Sequence, residues 1–71
     1  MQYAVVIEHA PGMNYSAYVP DLPGCVSTGD TIEEVSRNIQ EAVRFHLEGM
    51  RSDGDPIPEP TTRVTYADVA A

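Results

Sequence analysis

Several residue types that mark particular protein classes are scarce or absent in this sequence. The 71-residue chain has one cysteine, Cys25, no lysine, and four arginines against eleven acidic residues, which gives a net charge of −7. A single cysteine excludes an intramolecular disulfide and a CxxC metal or redox motif. The lack of clustered cations argues against direct nucleic-acid binding, because phosphate contacts need Lys or Arg to release counterions. Such acidity suits a basic protein partner, or simply keeps a small domain in solution.

Long apolar segments are also missing. The longest uninterrupted run is residues 4–7, which is far too short to cross a bilayer. The chain does not open with a basic segment followed by an apolar one, so the sequence predicts no secretory signal. We therefore expect a cytoplasmic protein. A single domain of this length has a small core and gains stability by self-association.

The residues that are present predict an α+β domain covering 1–71. β-Branched and aromatic residues predict strands at about 2–8, 14–19 and 25–29. Pro11-Gly12 and Pro23-Gly24 have the residue types that type II turns place at their two central positions. A proline-rich linker follows at 52–60, and residues 63–68 have enough β-propensity for a fourth strand. A helical crossover predicts parallel pairing of that strand with the first.

One long helix is predicted at about 31–51. Thr31 and Glu34 have the spacing of a capping box, and Asp30 is an alternative cap. Apolar residues then recur at steps of three and four, which indicates one buried stripe of an amphipathic helix. The charged residues on the other side of this helix predict a solvated surface or, less simply, a partner-binding face.

Both faces of the first two predicted strands carry apolar side chains. One helix can cover only one face of a sheet, so the other face is expected to meet a second chain. We therefore predict a homodimer or higher homo-oligomer joined through a sheet face or edge. The oligomer interface is predicted to include Val6, Tyr18 and Val26.

Candidates for catalysis or metal binding are weak. Cys25 and His46 are a conceivable nucleophile and base, but nothing in the sequence brings them together, and His46 lies on the apolar stripe of the helix. His9 has no ligand-type partner at helical spacing, and the acidic residues Asp53 and Asp55 lack the further oxygens of a calcium loop. We therefore predict no catalytic residue, no cofactor and no metal.

Three segments together resemble the HicB family of antitoxins from type II toxin–antitoxin systems. They are YAVVIE at the start, YSAYVPDLPGCVSTGDTIEEV in the middle, and the helix ending FHLEGM with the proline-rich DGDPIPEP after it. The resemblance covers essentially the whole chain, and AYVPDLPGCVSTGDTIEE is its most specific part. It implies a β-β-β-α-β fold, a partial RNase H-like arrangement with one helix against a four-stranded sheet.

The resemblance also implies a function. HicB antitoxins bind HicA toxins, which are small basic RNA-cleaving proteins, and mask their active sites. The alternatives are a small RNase H-like hydrolase or RNA-processing remnant, and an orphan scaffold without a toxin. Apolar residues fill the middle of the first strand, where an RNase H-type enzyme needs a metal-binding aspartate, so the resemblance does not imply activity. Only about twenty residues follow the helix, fewer than a DNA-reading module needs, so we expect a short form without a DNA-binding domain.

We predict that a HicA-like toxin binds beside the second strand and the turn that follows it. Aromatic side chains next to an exposed turn make good interface anchors, although the same tyrosines could simply pack the sheet. The predicted partner-binding residues are Tyr15, Tyr18, Pro20, Asp21 and Leu22.

Overall fold

Three short strands and one long helix follow one another along the chain in the computed structural model, which describes residues 1–70. The strands are β1 (Val6–His9), β2 (Tyr15–Tyr18) and β3 (Val26–Gly29), and the helix is α1 (Ile32–Asp53). The strands form an antiparallel sheet in the order β1-β2-β3. The predicted α+β class, with three antiparallel strands and one helix, is confirmed. The RNase H-like detail of the fold stays a prediction.

The two Pro-Gly pairs turn the chain as predicted. The amide of Met13 donates to the carbonyl of Ala10 at 3.0 Å, and Gly12 between them has φ 77°. The amide of Cys25 likewise donates to the carbonyl of Leu22 at 3.0 Å, and Gly24 has φ 84°. A positive φ at the third residue of a turn defines type II, and glycine adopts it without steric cost.

Helix α1 has a defined cap at each end. The side chain of Thr31 accepts a hydrogen bond from the amide of Glu34 at 3.0 Å, so Thr31 rather than Asp30 is the N-cap. At the other end Gly54 adopts the left-handed conformation, and the amide of Asp55 donates to the carbonyl of Met50 at 2.9 Å. The helix runs two residues beyond the predicted end because Gly54 is the first residue that stops it.

The helix covers the sheet face that carries Ala17. Buried side chains from α1, from β2 and from the loop between β2 and β3 form one core, consisting of Ala17, Val19, Leu22, Cys25, Val35, Ile39 and Leu47. Tyr3 and Val5 pack against the same core, so the odd-numbered residues at the start of the chain face the helix. The opposite face of the sheet has no layer over it within residues 1–70.

The predicted fourth strand at 63–68 is wrong. The sheet has three strands, and residues 55–70 form neither strand nor helix. A strand needs a neighbouring backbone to complete its hydrogen bonds, and β-propensity alone does not supply one. The other strands are also shorter than predicted; β1 begins at Val6 rather than near residue 2.

Gly29 marks the closest approach of the sheet to the helix. A Cβ atom added at this buried residue would lie 2.6 Å from the backbone nitrogen of Val35 and 2.9 Å from its Cα. Both neighbours are backbone atoms of the first helical turn, which cannot move aside without shifting α1. The close fit of β3 against α1 therefore depends on a residue without a side chain.

We expect Gly29→Ala to lower the free energy of unfolding by about 1–3 kcal/mol, the usual cost of overpacking a core. Gly49→Ala is the matched control, because a Cβ there meets no atom within 4 Å. In the middle of a helix that change should instead raise the free energy of unfolding by up to about 1 kcal/mol. Urea denaturation of the two variants measures both effects. An equal loss in both variants, or no loss for Gly29→Ala, would contradict the close packing.

Candidate functional site

The uncovered face of the sheet carries a row of three apolar side chains. Tyr18 in β2 pairs with Val6 in β1 on one side and with Val26 in β3 on the other. Residues directly opposite one another in a sheet point to the same face, so the three side chains form one continuous strip, which we call the outer row. Tyr18 is 41% exposed and Val26 is 64% exposed. These are the residues predicted for the oligomer interface, and their use as an interface stays a prediction.

A polar row lies beside the outer row on the same face. Glu8, Ser16 and Thr28 are paired across the three strands in the same way, and all three are exposed. The face therefore offers an apolar centre with hydroxyl groups and one carboxylate next to it. An apolar centre with a polar rim is the usual composition of a protein interface.

The residues predicted for partner binding do not form one surface. Tyr18 is on the outer row, and Pro20 is exposed in the loop after β2. Tyr15 belongs to the helix side of the sheet, where it packs against the core and its ring stacks on His9 with centroids 4.0 Å apart. Leu22 is only 1% exposed, which corrects its placement in a partner surface. The turn presents Pro23 and Gly24 to solvent and directs Leu22 inward.

Asp21 binds the segment after the linker. The amides of Thr61 and Thr62 both donate to Oδ2 of Asp21 at 3.0 Å, and their hydroxyls donate to Oδ1 at 3.1 and 2.7 Å. The hydrogen bonds from Thr62 lower the pKa of Asp21 to about 2, because they stabilise the ionised carboxylate. The bond from the Thr62 amide contributes most, and the bond from its hydroxyl comes next. We call this arrangement the Asp21 clamp. Both carboxylate oxygens of Asp21 accept hydrogen bonds from Thr61 and Thr62, so Asp21 joins the loop after β2 to the segment after the linker.

We expect the Asp21 clamp to open in acid. The folded pKa lies below the ordinary value of 3.8, so the clamp is fully stabilised above that pH and loses its stabilisation as the pH falls to about 2. Amide NMR signals of Thr61 and Thr62 should therefore shift with a midpoint near pH 2. Asp21→Asn should abolish the transition. A midpoint at 3.8 in the unmodified protein would mean that the carboxylate is not bonded in solution.

Sequence reasoning missed the partners of this clamp. Thr61 and Thr62 lie 40 and 41 residues after Asp21, and no local pattern links them. The hydroxyl of Tyr3 also donates to the carbonyl of Pro58, which fastens the linker against the start of the chain. Phe45 is a further exposed aromatic residue that the sequence analysis does not single out; it lies on α1 next to Arg44, outside the apolar stripe.

The chemistry of Cys25 is that of a core residue. Burial raises the pKa of its thiol, so the reactive thiolate is disfavoured. In residues 1–70 no three His, Cys, Asp or Glu side chains gather as a metal site would require. Over the same residues, no helix combines the length and the apolar character that crossing a membrane demands.

Comparison with known proteins identifies the family. A family model described as the HicB-like antitoxin of bacterial toxin–antitoxin systems matches residues 3–69. A UPF0150 protein of Synechocystis is 39% identical over 57 residues, which cover 80% of this chain and 72% of that protein. A UPF0150 protein of Thermoplasma acidophilum is 38% identical over 58 residues, covering 82% and 84%.

Two further similarities differ in how much of the other protein they cover. An uncharacterised 14.9 kDa protein of Haemophilus phage HP1 is 44% identical over 59 residues, which are 83% of this chain but only 44% of the phage protein. A chain in the structure of the HicA3 and HicB3 toxin–antitoxin complex matches with a TM-score of 0.72 and 31% identity, over 86% of this chain and 70% of that one. Fold and sequence thus agree over nearly the whole length, and the chain belongs to the HicB-like antitoxin family.

Proposed function

We propose that this chain is an antitoxin that binds a small, basic, HicA-like RNA-cleaving toxin and blocks its active site. The observation that carries the proposal is the match to a chain of a toxin–antitoxin complex, at 31% identity over 86% of this chain. A protein that acts on such a toxin has to meet it where cellular RNA is exposed, which supports the cytoplasm as its location. The role requires binding and no catalysis.

The outer row is the surface best suited to the toxin. Tyr18 lies at its centre between two aliphatic side chains, and tyrosine is among the residues that contribute most to binding at interfaces. The neighbouring hydroxyls of Ser16 and Thr28 can donate hydrogen bonds at the rim. The other predicted contact that remains exposed is Pro20, which lies two residues after Tyr18 in the loop that follows β2.

The charge of the chain supports a basic partner. A net charge of −7 on 71 residues attracts a basic protein over several ångströms and speeds encounter. This attraction is screened by salt, so association should slow as ionic strength rises. The same charge disfavours RNA as a direct ligand, because it repels the phosphate backbone.

The proposal predicts that the adjacent reading frame encodes a short, basic, histidine-containing protein. We expect the purified neighbour to cleave RNA alone and to lose that activity when this chain is added in equal amount. Co-elution of the two proteins should accompany the loss. A neighbour that cleaves RNA regardless of this chain would overturn the proposal and favour an orphan scaffold.

The same assay tests the enzymatic alternative. This chain alone is incubated with RNA and Mg²⁺ or Mn²⁺, and we expect no cleavage. Reproducible cleavage that disappears with Glu8→Gln or Asp21→Asn would favour a hydrolase, because these are the carboxylates near the sheet that could serve a metal. Asp21→Asn also opens the clamp, so Glu8→Gln is the cleaner of the two variants.

A further inference from the structure

The residues that follow the Asp21 clamp are exposed and belong to no helix or strand. All of residues 63–70, which we call the arm, are exposed, including Val64, Tyr66 and Val69, and Tyr66 is 90% exposed. The radius of gyration is 13.9 Å, whereas a compact domain of this length has about 11 Å. The longest dimension is 48 Å, against about 33 Å for the helix alone. Three large apolar side chains are thus left in water on an extended segment.

The sequence of the arm favours a straight strand. β-Branched and aromatic residues dominate its first half, Arg63 to Tyr66, and these residue types fit a sheet better than a loop. Glycine, proline, asparagine and serine are absent between Thr61 and Ala70, and the one aspartate, Asp68, comes after the β-prone half, so nothing from Arg63 to Tyr66 favours a reversal of the chain. Thr61 and Thr62 are held by Asp21, and none of residues 63–70 pairs with the sheet of its own chain.

An unoccupied place for a strand lies at the start of the chain. Residues 1–5 precede β1, which is an edge of the sheet, and they pair with no other strand. A cleft of about 730 Å³ runs along them, between this segment and the helix, and is lined by Met1, Gln2, Tyr3, Ala4, Val5, Gln40, Val43 and Thr62. An edge segment offers backbone donors and acceptors that an added strand can satisfy.

We propose that the arm of one copy adds as a strand to residues 1–5 of a second copy, and that the second copy's arm does the same in return. Each copy has one arm and one unpaired segment at residues 1–5, so the exchange closes on itself as a two-fold dimer and leaves neither of these two segments unpaired; the outer edge of β3 takes no part in it. It buries Val64, Tyr66 and Val69, whose exposure is otherwise unexplained. The exchange leaves the outer row free for another partner.

A second copy fits better than the arm's own edge for a geometric reason. Thr62 lines the cleft of its own chain while it is held by the Asp21 clamp, but no residue of the arm does. All of residues 63–70 are exposed, so the arm leaves the cleft of its own chain unfilled. Continuing straight for eight residues gives a reach of about 26 Å, enough to span the edge of a neighbour.

Sedimentation at micromolar concentration tests the proposal. We expect the full chain to show twice the monomer mass of 7.7 kDa. Thr65→Pro removes a backbone donor and Tyr66→Asp introduces a charge, and each should raise the dimer dissociation constant at least about tenfold. Both positions are exposed, so neither change should unfold the monomer. Phe45→Asp is the matched control: it places the same charge on an exposed aromatic position outside the cleft, and should leave the dimer intact.

Disulfide trapping separates exchange from folding back. Chains carrying both Gln2→Cys and Tyr66→Cys should form, on mild oxidation, a cross-linked species of dimer mass, since the native Cys25 is buried and does not compete. A cross-link at monomer mass would show that the arm folds onto its own chain and would overturn the exchange. A monomeric full chain would overturn it as well. So would a dimer that survives both arm variants but dissociates with Val6→Asp, which would place the interface at the outer row.

Discussion

Leu22→Ala should lower the free energy of unfolding by about 3–5 kcal/mol, the range for removing a fully buried leucine side chain. Leu22 is 1% exposed and lies in the core with Val35 and Ile39 from the helix. A domain of this length has a total of only about 4–10 kcal/mol. The variant should therefore be largely unfolded at moderate temperature, and urea denaturation with circular dichroism at the helix wavelength measures it.

Val26→Ala is the control for that loss. It also removes an aliphatic side chain, but from a position that is 64% exposed, so its cost should stay below about 1 kcal/mol. If the two variants were equally stable, Leu22 would not be a core residue in solution. It could then contact a partner directly, as the turn sequence alone suggested.

Tyr18→Ala should weaken toxin binding by about 30-fold or more, which corresponds to about 2 kcal/mol at a central interface residue. The reason is its position: it is exposed in the middle of the outer row, with an aliphatic neighbour on each side. The cost to folding should be smaller, about 0.2–1 kcal/mol, since only cross-strand contacts are lost. Calorimetric titration with the HicA-like toxin proposed as partner, and thermal denaturation of the free chain, give the two values.

Comparing the loss of toxin affinity with the loss of folding stability shows whether Tyr18 is an interface residue. A large loss of affinity with a nearly unchanged thermal midpoint places the residue in the interface. Equal losses of affinity and stability would mean that Tyr18 only packs the sheet. The outer row would then not be the toxin-binding surface. Ser16→Ala serves as the control, because it changes the rim of the same face without removing an anchor.

The parts of the fold that could be predicted from the sequence depend on neighbouring residues. Thr31 and Glu34 are three apart, and their hydrogen bond could be read from that spacing. The Pro-Gly pairs predicted both turns because the required backbone conformation is a property of glycine itself. The alternation along β2 showed that each face carries apolar side chains, but it left open which face the helix covers.

The parts that could not be predicted depend on residues far apart in the chain. The carboxylate of Asp21 and the two threonines are 40 residues or more apart, and no local sequence pattern identifies them as hydrogen-bond partners. The β-propensity of residues 63–68 predicts a fourth strand because propensity describes the segment alone. Strand pairing also needs a neighbouring backbone, and the position of that neighbour cannot be read from the segment itself. Leu22 was assigned to the surface because turns are usually exposed, while the direction of its side chain depends on the helix that packs above it.

The order of the elements has a consequence for how the protein folds as it is synthesised. The strands are neighbours in the sheet in the same order as in the chain, and the helix that covers them follows at once. Contacts between neighbours in sequence form quickly, because little loop entropy is lost. The three strands and α1 can therefore pack together as soon as α1 has left the ribosome. The Asp21 clamp joins residues 40 apart and therefore closes after the strands and the helix have packed, so the outer row is formed before the arm is fixed in place.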